Sequence, residues 1–286
     1  MAVRVRRRLL APSAVLVALA LLAAGCASPP QAELGSPPVT VTTAPVDPSI
    51  EDLMSGAGLT TVGRRMFLAA RPQLEDPAIL ARECARPDTA AEPSSTHTYG
   101  CVIRGQIHVR TFDNPEVHDL KYVVAAHELL HVVYAQLPPS QRLRLNDELA
   151  AARSGNDRLE DRLKVYAETA DDTPNEVHAV LGTEFGDLPA TLEAHFGLYF
   201  DRTAVLGKFR STLGEREDEL RRLEASINEM DARLKTMAAR LDTLRGANVT
   251  AYNAGVAEYN ALVRQHNATI RQYNTLLAEY KRLTGG

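Results

Sequence analysis

The chain has 286 residues, room for two domains or for one domain with an extended appendage. A hydrophobic content of 45% is that of a globular protein, while aromatics at 5% and the lack of Trp point to long polar helices joined to a modest core. The formal charge of −4 includes a basic N-terminus: without residues 1–25, which hold four arginines and no acid, 28 basic residues face 36 acidic ones, or −8, which disfavours nucleic-acid binding.

Arg4, Arg6, Arg7 and Arg8 precede the apolar run from Val15 to Leu22, and Ala23-Ala24-Gly25-Cys26 follows at once. A basic segment, a short apolar stretch and small residues describe a secretory signal peptide over 1–25 rather than a stable membrane span. The end of this segment resembles the lipobox of bacterial lipoproteins. That resemblance implies cleavage before Cys26, lipidation of its thiol, and a cell-membrane anchor on the extracytoplasmic face. Residues 26–49 contain Pro29, Pro30, Pro37, Pro38, Pro45 and Pro48 among Ser, Thr and Ala, and read as a semi-extended tether.

Order is expected from about Ile50. Leu53, Leu59, Val62, Met66, Phe67 and Leu68 suggest one or two helices, with Thr61 as a cap and Arg71-Pro72 as a stop, and another helix runs from Pro77 to Cys84. Cys84 and Cys101 are the remaining cysteines. Outside the membrane two thiols in one domain usually pair, although two free thiols are the alternative. From Tyr99 to Phe112 the residues have strand chemistry, with Val102-Ile103 and Ile107–Phe112 flanking Arg104-Gly105-Gln106 as a hairpin. His108 alternates with Ile107 and Val109 and is expected to face solvent or a cleft. Asp113-Asn114-Pro115 marks a turn or a helix start.

The next helix carries the chemistry. Leu120, Val124, His127, His131 and Tyr134 recur at steps of four, three, four and three, the pattern of an amphipathic helix. The spacing of four sets the imidazoles of His127 and His131 one turn apart on one face, where both reach one ion. Glu128 lies beside the first of them. This H-E-x-x-H arrangement resembles that of zincin metallopeptidases, in which the carboxylate is the general base. The resemblance covers about twenty residues. It implies Zn²⁺ as cofactor, a peptide or protein as substrate, and a strand ahead of the helix whose edge takes an extended peptide.

A catalytic zinc needs a third protein ligand. Position 137 is Leu, so the three-histidine pattern is absent and a downstream carboxylate is expected, as in the gluzincin branch. Glu176, in Asn175-Glu176-Val177-His178, is similar to the Asn-Glu pair that opens the third-ligand helix there. It also completes a capping box with Thr173, which explains a Glu equally well. Glu184 is the alternative and Glu168 a further one. Val180 stands where the family has an acid four residues after its third ligand. His178 is the leading candidate for an oxyanion donor, with Tyr199 and His195 behind it.

Pro138-Pro139-Ser140 recaps the chain, helices follow at 141–153 and 157–170, another opens at Thr173 and runs towards Gly182 and Gly186, and Leu188-Pro189 starts one more. Thereafter Leu206, Leu213, Leu220, Ile227, Leu234 and Leu241 repeat every seven residues, with Phe209, Leu223, Met230, Met237 and Leu244 three positions later. After Gly246 a second register begins: Val249, Val256, Val263, Ile270 and Leu277, with Tyr252, Tyr259, His266, Tyr273 and Tyr280. Two heptad helices about a glycine read as an antiparallel coiled-coil hairpin. The expected fold is therefore α+β and mostly helical, with a zincin-like domain over 50–202 and the hairpin over 203–286. The rival function is a non-catalytic surface lipoprotein whose coiled coil binds a partner or self-associates.

Overall fold

The computed structural model describes residues 45–84, 99–166 and 173–284, and these are mostly helical with one small sheet. Cys26, the signal segment, most of the expected tether and Glu168 lie outside the described residues. Helix α1 (Pro48–Gly56) starts within the expected tether, because Asp47 accepts from the Ser49 amide and Pro48 fills the first turn. Helix α2 (Thr61–Ala69) is capped by Thr60 rather than Thr61: its hydroxyl accepts from the Gly63 amide at 3.1 Å. Strand β1 (Gln73–Glu75), too short to show periodicity in the sequence, leads into helix α3 (Pro77–Glu83).

Strands β2 (Gly100–Ile103) and β3 (Gln106–Arg110) form the expected hairpin. Arg104 and Gly105 both take positive φ, 51° and 76°, as tight turns matched to strand twist require. The sheet order is β1-β3-β2, with β1 parallel and β2 antiparallel to β3, so β2 is an edge strand of the described sheet. Cys84 and Cys101 are disulfide-bonded, with Cα atoms 6.1 Å apart, which ties the end of α3 to β2. His108 does not face solvent or a cleft. It is buried, with Nδ1 3.0 Å from Glu75 Oε1 on the unanticipated neighbouring strand.

A 3₁₀ turn at Pro115–Val117, capped by Asn114, precedes helix α4 (Leu120–Gln136). The alternation of apolar residues suggests one buried face, but α4 is buried nearly all round, from Leu120 to Tyr134 with Tyr122 and His131 half-buried. The reason is tertiary: β2, β3, the earlier helices α1 and α2, and the later helices α7 (Thr173–Glu184) and α9 (Arg202–Phe209) all pack on it. Helices α5 (Pro139–Arg153), α6 (Asp157–Tyr166) and α8 (Ala190–Gly197) complete this part of the chain. Helix α7 ends at Glu184, between Gly182 and Gly186. A Cβ on Gly182 would lie 2.3 Å from Leu130 Cδ1, so the glycine permits close packing of α7 on α4.

Helix α9 continues through a π-helical turn, Arg210–Gly214, into α10 (Glu215–Leu244), and after a short turn α11 (Val249–Thr284) returns. Glu217 meets Tyr280, Arg216 meets Glu279 and Asp231 meets His266, so the two long helices run antiparallel. Leu223, Met230 and Leu262 are buried along the seam, whereas Leu220, Ile227, Leu234 and Leu241 are half-buried, because two helices alone cover one side of each other. The lower part of this pair joins the core: Val205, Phe209, Leu213 and Leu283 belong to the same buried cluster as α4. Residues Pro45–Gly286 form one compact unit. No helix among the described residues is long and apolar enough to cross a membrane.

Candidate metal centre

His127 and His131 project from α4 with ring centroids 4.9 Å apart and planes at 76°. Helix α7 lies against them and presents Glu176 from its first turn. Glu176 Oε1 is 3.4 Å from His127 Nε2, and Oε2 is 3.6 Å from His131 Nε2. One ligand atom from each of the three residues falls within 4.8 Å of the other two, the only such group of His, Cys, Asp or Glu among the described residues. His127 Nδ1 lies 3.5 Å from the Thr183 hydroxyl, which donates to Ala179 O at 2.8 Å and therefore offers a lone pair to the imidazole. That contact turns Nε2 towards the group.

The donor set suits a divalent metal. Two imidazoles and one carboxylate are the ligands of an open zinc site, and the buried oxygens Glu176 Oε1 and Glu128 Oε2 have no hydrogen-bond partner among the described residues. Burial pulls the His127 pKa down, but the Glu176 carboxylate outweighs it and holds the imidazole up at about 9. Burial raises Glu176, and the two histidines more than reverse that, keeping it below the usual carboxylate range. Glu128 is 5% exposed, and burial lifts its carboxyl to about 8 against the pull of His127. Gly100 of edge strand β2 faces it, with an added Cβ falling 2.7 Å from Glu128 Oε1.

The other nominated residues are placed elsewhere. Glu184, two turns beyond Glu176, has its carboxylate in the guanidinium fork of Arg162, with Nη2 donating at 3.0 Å. It is not one of the three grouped ligands, although it lines the same cavity as His127 and Glu128. His178 lies on another side of α7: it is fully buried, with Nε2 2.9 Å from His195 Nε2 and its ring against Tyr134 and Phe196. The oxyanion role expected of it is not served by this placement, since a fully buried ring paired to His195 has no exposed edge for a substrate. Burial also pushes the His178 pKa well down, so it stays neutral. His195 and Tyr199 pack into the same aromatic group.

Two arginines that belong to no sequence motif organise the site. Arg162 binds Glu184 and also reaches Glu217 at 3.2 Å, linking α6, α7 and α10. Arg202 is buried; its Nη1 donates to Leu181 O and Gly182 O at 2.8 and 2.9 Å, its Nη2 to Phe185 O, and its guanidinium forks onto Glu193. It satisfies the last carbonyls of the helix that carries Glu176. Neither has a local signal, because their partners lie 9 to 55 positions away. No protein-family model matches this chain, and no curated protein or solved structure matches it.

Proposed function

We propose that this chain is a zinc-dependent peptidase of the zincin type, with a gluzincin-like ligand set of His127, His131 and Glu176. The observation that carries the reading is the convergence of these three residues within 4.8 Å, with Glu128 adjacent on α4. A zinc ion held there would supply Lewis acidity towards a carbonyl oxygen and lower the pKa of a bound water. Glu128 is the residue that takes the proton of the attacking water and passes it to the leaving amine. Burial, which raises the Glu128 carboxyl, makes its ionised form a stronger base than an exposed carboxylate. Edge strand β2 runs beside Glu128 through Gly100, so an extended peptide added to β2 would lie along the catalytic carboxylate.

The long helix pair is read as a coiled-coil hairpin rising from this body, and Cys26 as the lipid anchor that places both outside the cell. The test is metal analysis and peptide-library cleavage on the full chain. About one zinc per chain, lost in His131→Ala, and hydrolysis abolished in Glu128→Gln are expected, as zinc peptidase chemistry requires. A metal-free, folded wild type would sink the proposal, and cleavage that persists unchanged in Glu128→Gln would remove Glu128 from the mechanism.

A further inference from the structure

A cavity of about 320 Å³ adjoins the metal group, at the lower end of the ~300–1,000 Å³ range of ligand sites. His127 and Glu128 form one end of it. The walls are largely apolar and come from distant parts of the chain. Helix α4 supplies Val123 and Val124, one turn before the catalytic residues; the π-helical turn region supplies Phe209 and Leu213; the last turns of α11 supply Leu277 and Tyr280. A π-helical turn beside such a site is a recurrent feature of functional helices.

The α11 wall is fastened down rather than resting loosely. The Tyr280 hydroxyl donates to Glu217 at 2.7 Å, and Glu217 is also held by Arg162 at 3.2 Å. Arg216 joins Glu279 at 3.1 Å and Glu116, ahead of α4, at 3.2 Å. Leu283 and Thr284 are buried at the foot of the helix. The helix pair is thus part of the cleft as well as an appendage to it. An apolar space that ends at Glu128 lies where a substrate side chain next to the scissile bond would go.

Resting on the peptidase reading above, we propose that this cavity takes a bulky apolar side chain of the substrate, and that the C-terminal end of the helix pair, through Leu277 and Tyr280, sets that preference. The probe is a pair of hydroxamates, zinc-binding groups that need no turnover, one with a methyl arm and one with an isobutyl arm. Calorimetry on the zinc-loaded full chain should give roughly tenfold or greater tightening for the isobutyl arm, from the apolar surface it buries. Leu277→Trp, which fills the cavity, should reduce that gap below about threefold, as expected when the arm is excluded. Leu277→Ala, which enlarges it, should shift the preference to a benzyl arm. Both variants should keep the parental zinc content, since Leu277 is not a ligand. Equal affinities in the parent, or an undiminished gap in a folded, zinc-replete Leu277→Trp, would overturn the pocket while leaving the peptidase reading intact. A chain that takes up no zinc would sink that reading, and this subsite with it.

Discussion

Gly100 and Glu128 are in contact across the cleft: a Cβ added to the glycine would fall 2.7 Å from Glu128 Oε1 and 2.7 Å from Val124 Cγ1. The space that Glu128 occupies therefore exists because a residue of β2 has no side chain. Gly100→Ala should fold and bind zinc, since neither ligand nor core is removed. It should lower kcat by roughly tenfold or more, because a displaced base loses part of a contribution of about 10²–10⁴. Unchanged kcat with a folded variant would show that Glu128 tolerates displacement.

Variants of Glu176 and Glu184, the two candidate third ligands, should behave differently. Glu176→Gln should weaken zinc binding by roughly a hundredfold or more, since a first ligand matters at least as much as the outer partners worth 10–100-fold. Glu184→Gln should leave zinc stoichiometry unaltered while lowering stability by about 2 kcal/mol. Arg162 retains Glu217, so the loss stays below that of a fully broken buried pair. Zinc titration and urea melts of both variants read out the two effects. The opposite assignment of effects would exchange their roles.

The metal-free protein should lose stability as pH rises. Burial lowers His127 but Glu176 raises it further, from 6.5 to about 9; a base raised on folding stabilises below pH 6.5 and loses that contribution on the way to 9. Glu128, raised by burial from 4.5 to about 8, acts in the same direction between those values. Glu176, held low, stays ionised across this range. The melting temperature of metal-free chain should therefore fall from about pH 6 to about pH 9, and the gain on adding zinc should grow, because metal binding displaces the His127 proton. Scanning calorimetry with and without zinc checks this, and a gain that shrinks with pH would contradict it.

Reduction of the Cys84–Cys101 bond should lower stability by about 3 kcal/mol on loop-closure grounds, the bridge spanning 17 positions. Because Cys101 follows Gly100, reduction should also impair catalysis before zinc is lost. Parallel measurement of kcat and zinc content at increasing reductant would show the order, and simultaneous loss of both would mean that β2 supports the metal group itself.

The sequence alone determined the elements whose information is local. The i, i+4 spacing of His127 and His131 holds on any helix, the Arg104-Gly105 turn follows from backbone preference, and the heptads specify two long helices whatever they pack on. Tertiary structure decided what depends on residues far apart in the chain. It turned Glu176 towards the histidines and gave Glu184 to Arg162, a choice that the Asn175-Glu176 pair suggests but does not decide. It buried His178 and His108, which periodicity alone left free to face outward. It also brought Leu277 and Tyr280, some 150 positions from His127, to the wall of the same cleft. Spacing along one helix is set by its 3.6-residue turn; the choice among side chains on different helices is set by packing, charge pairing and desolvation, which no single segment encodes.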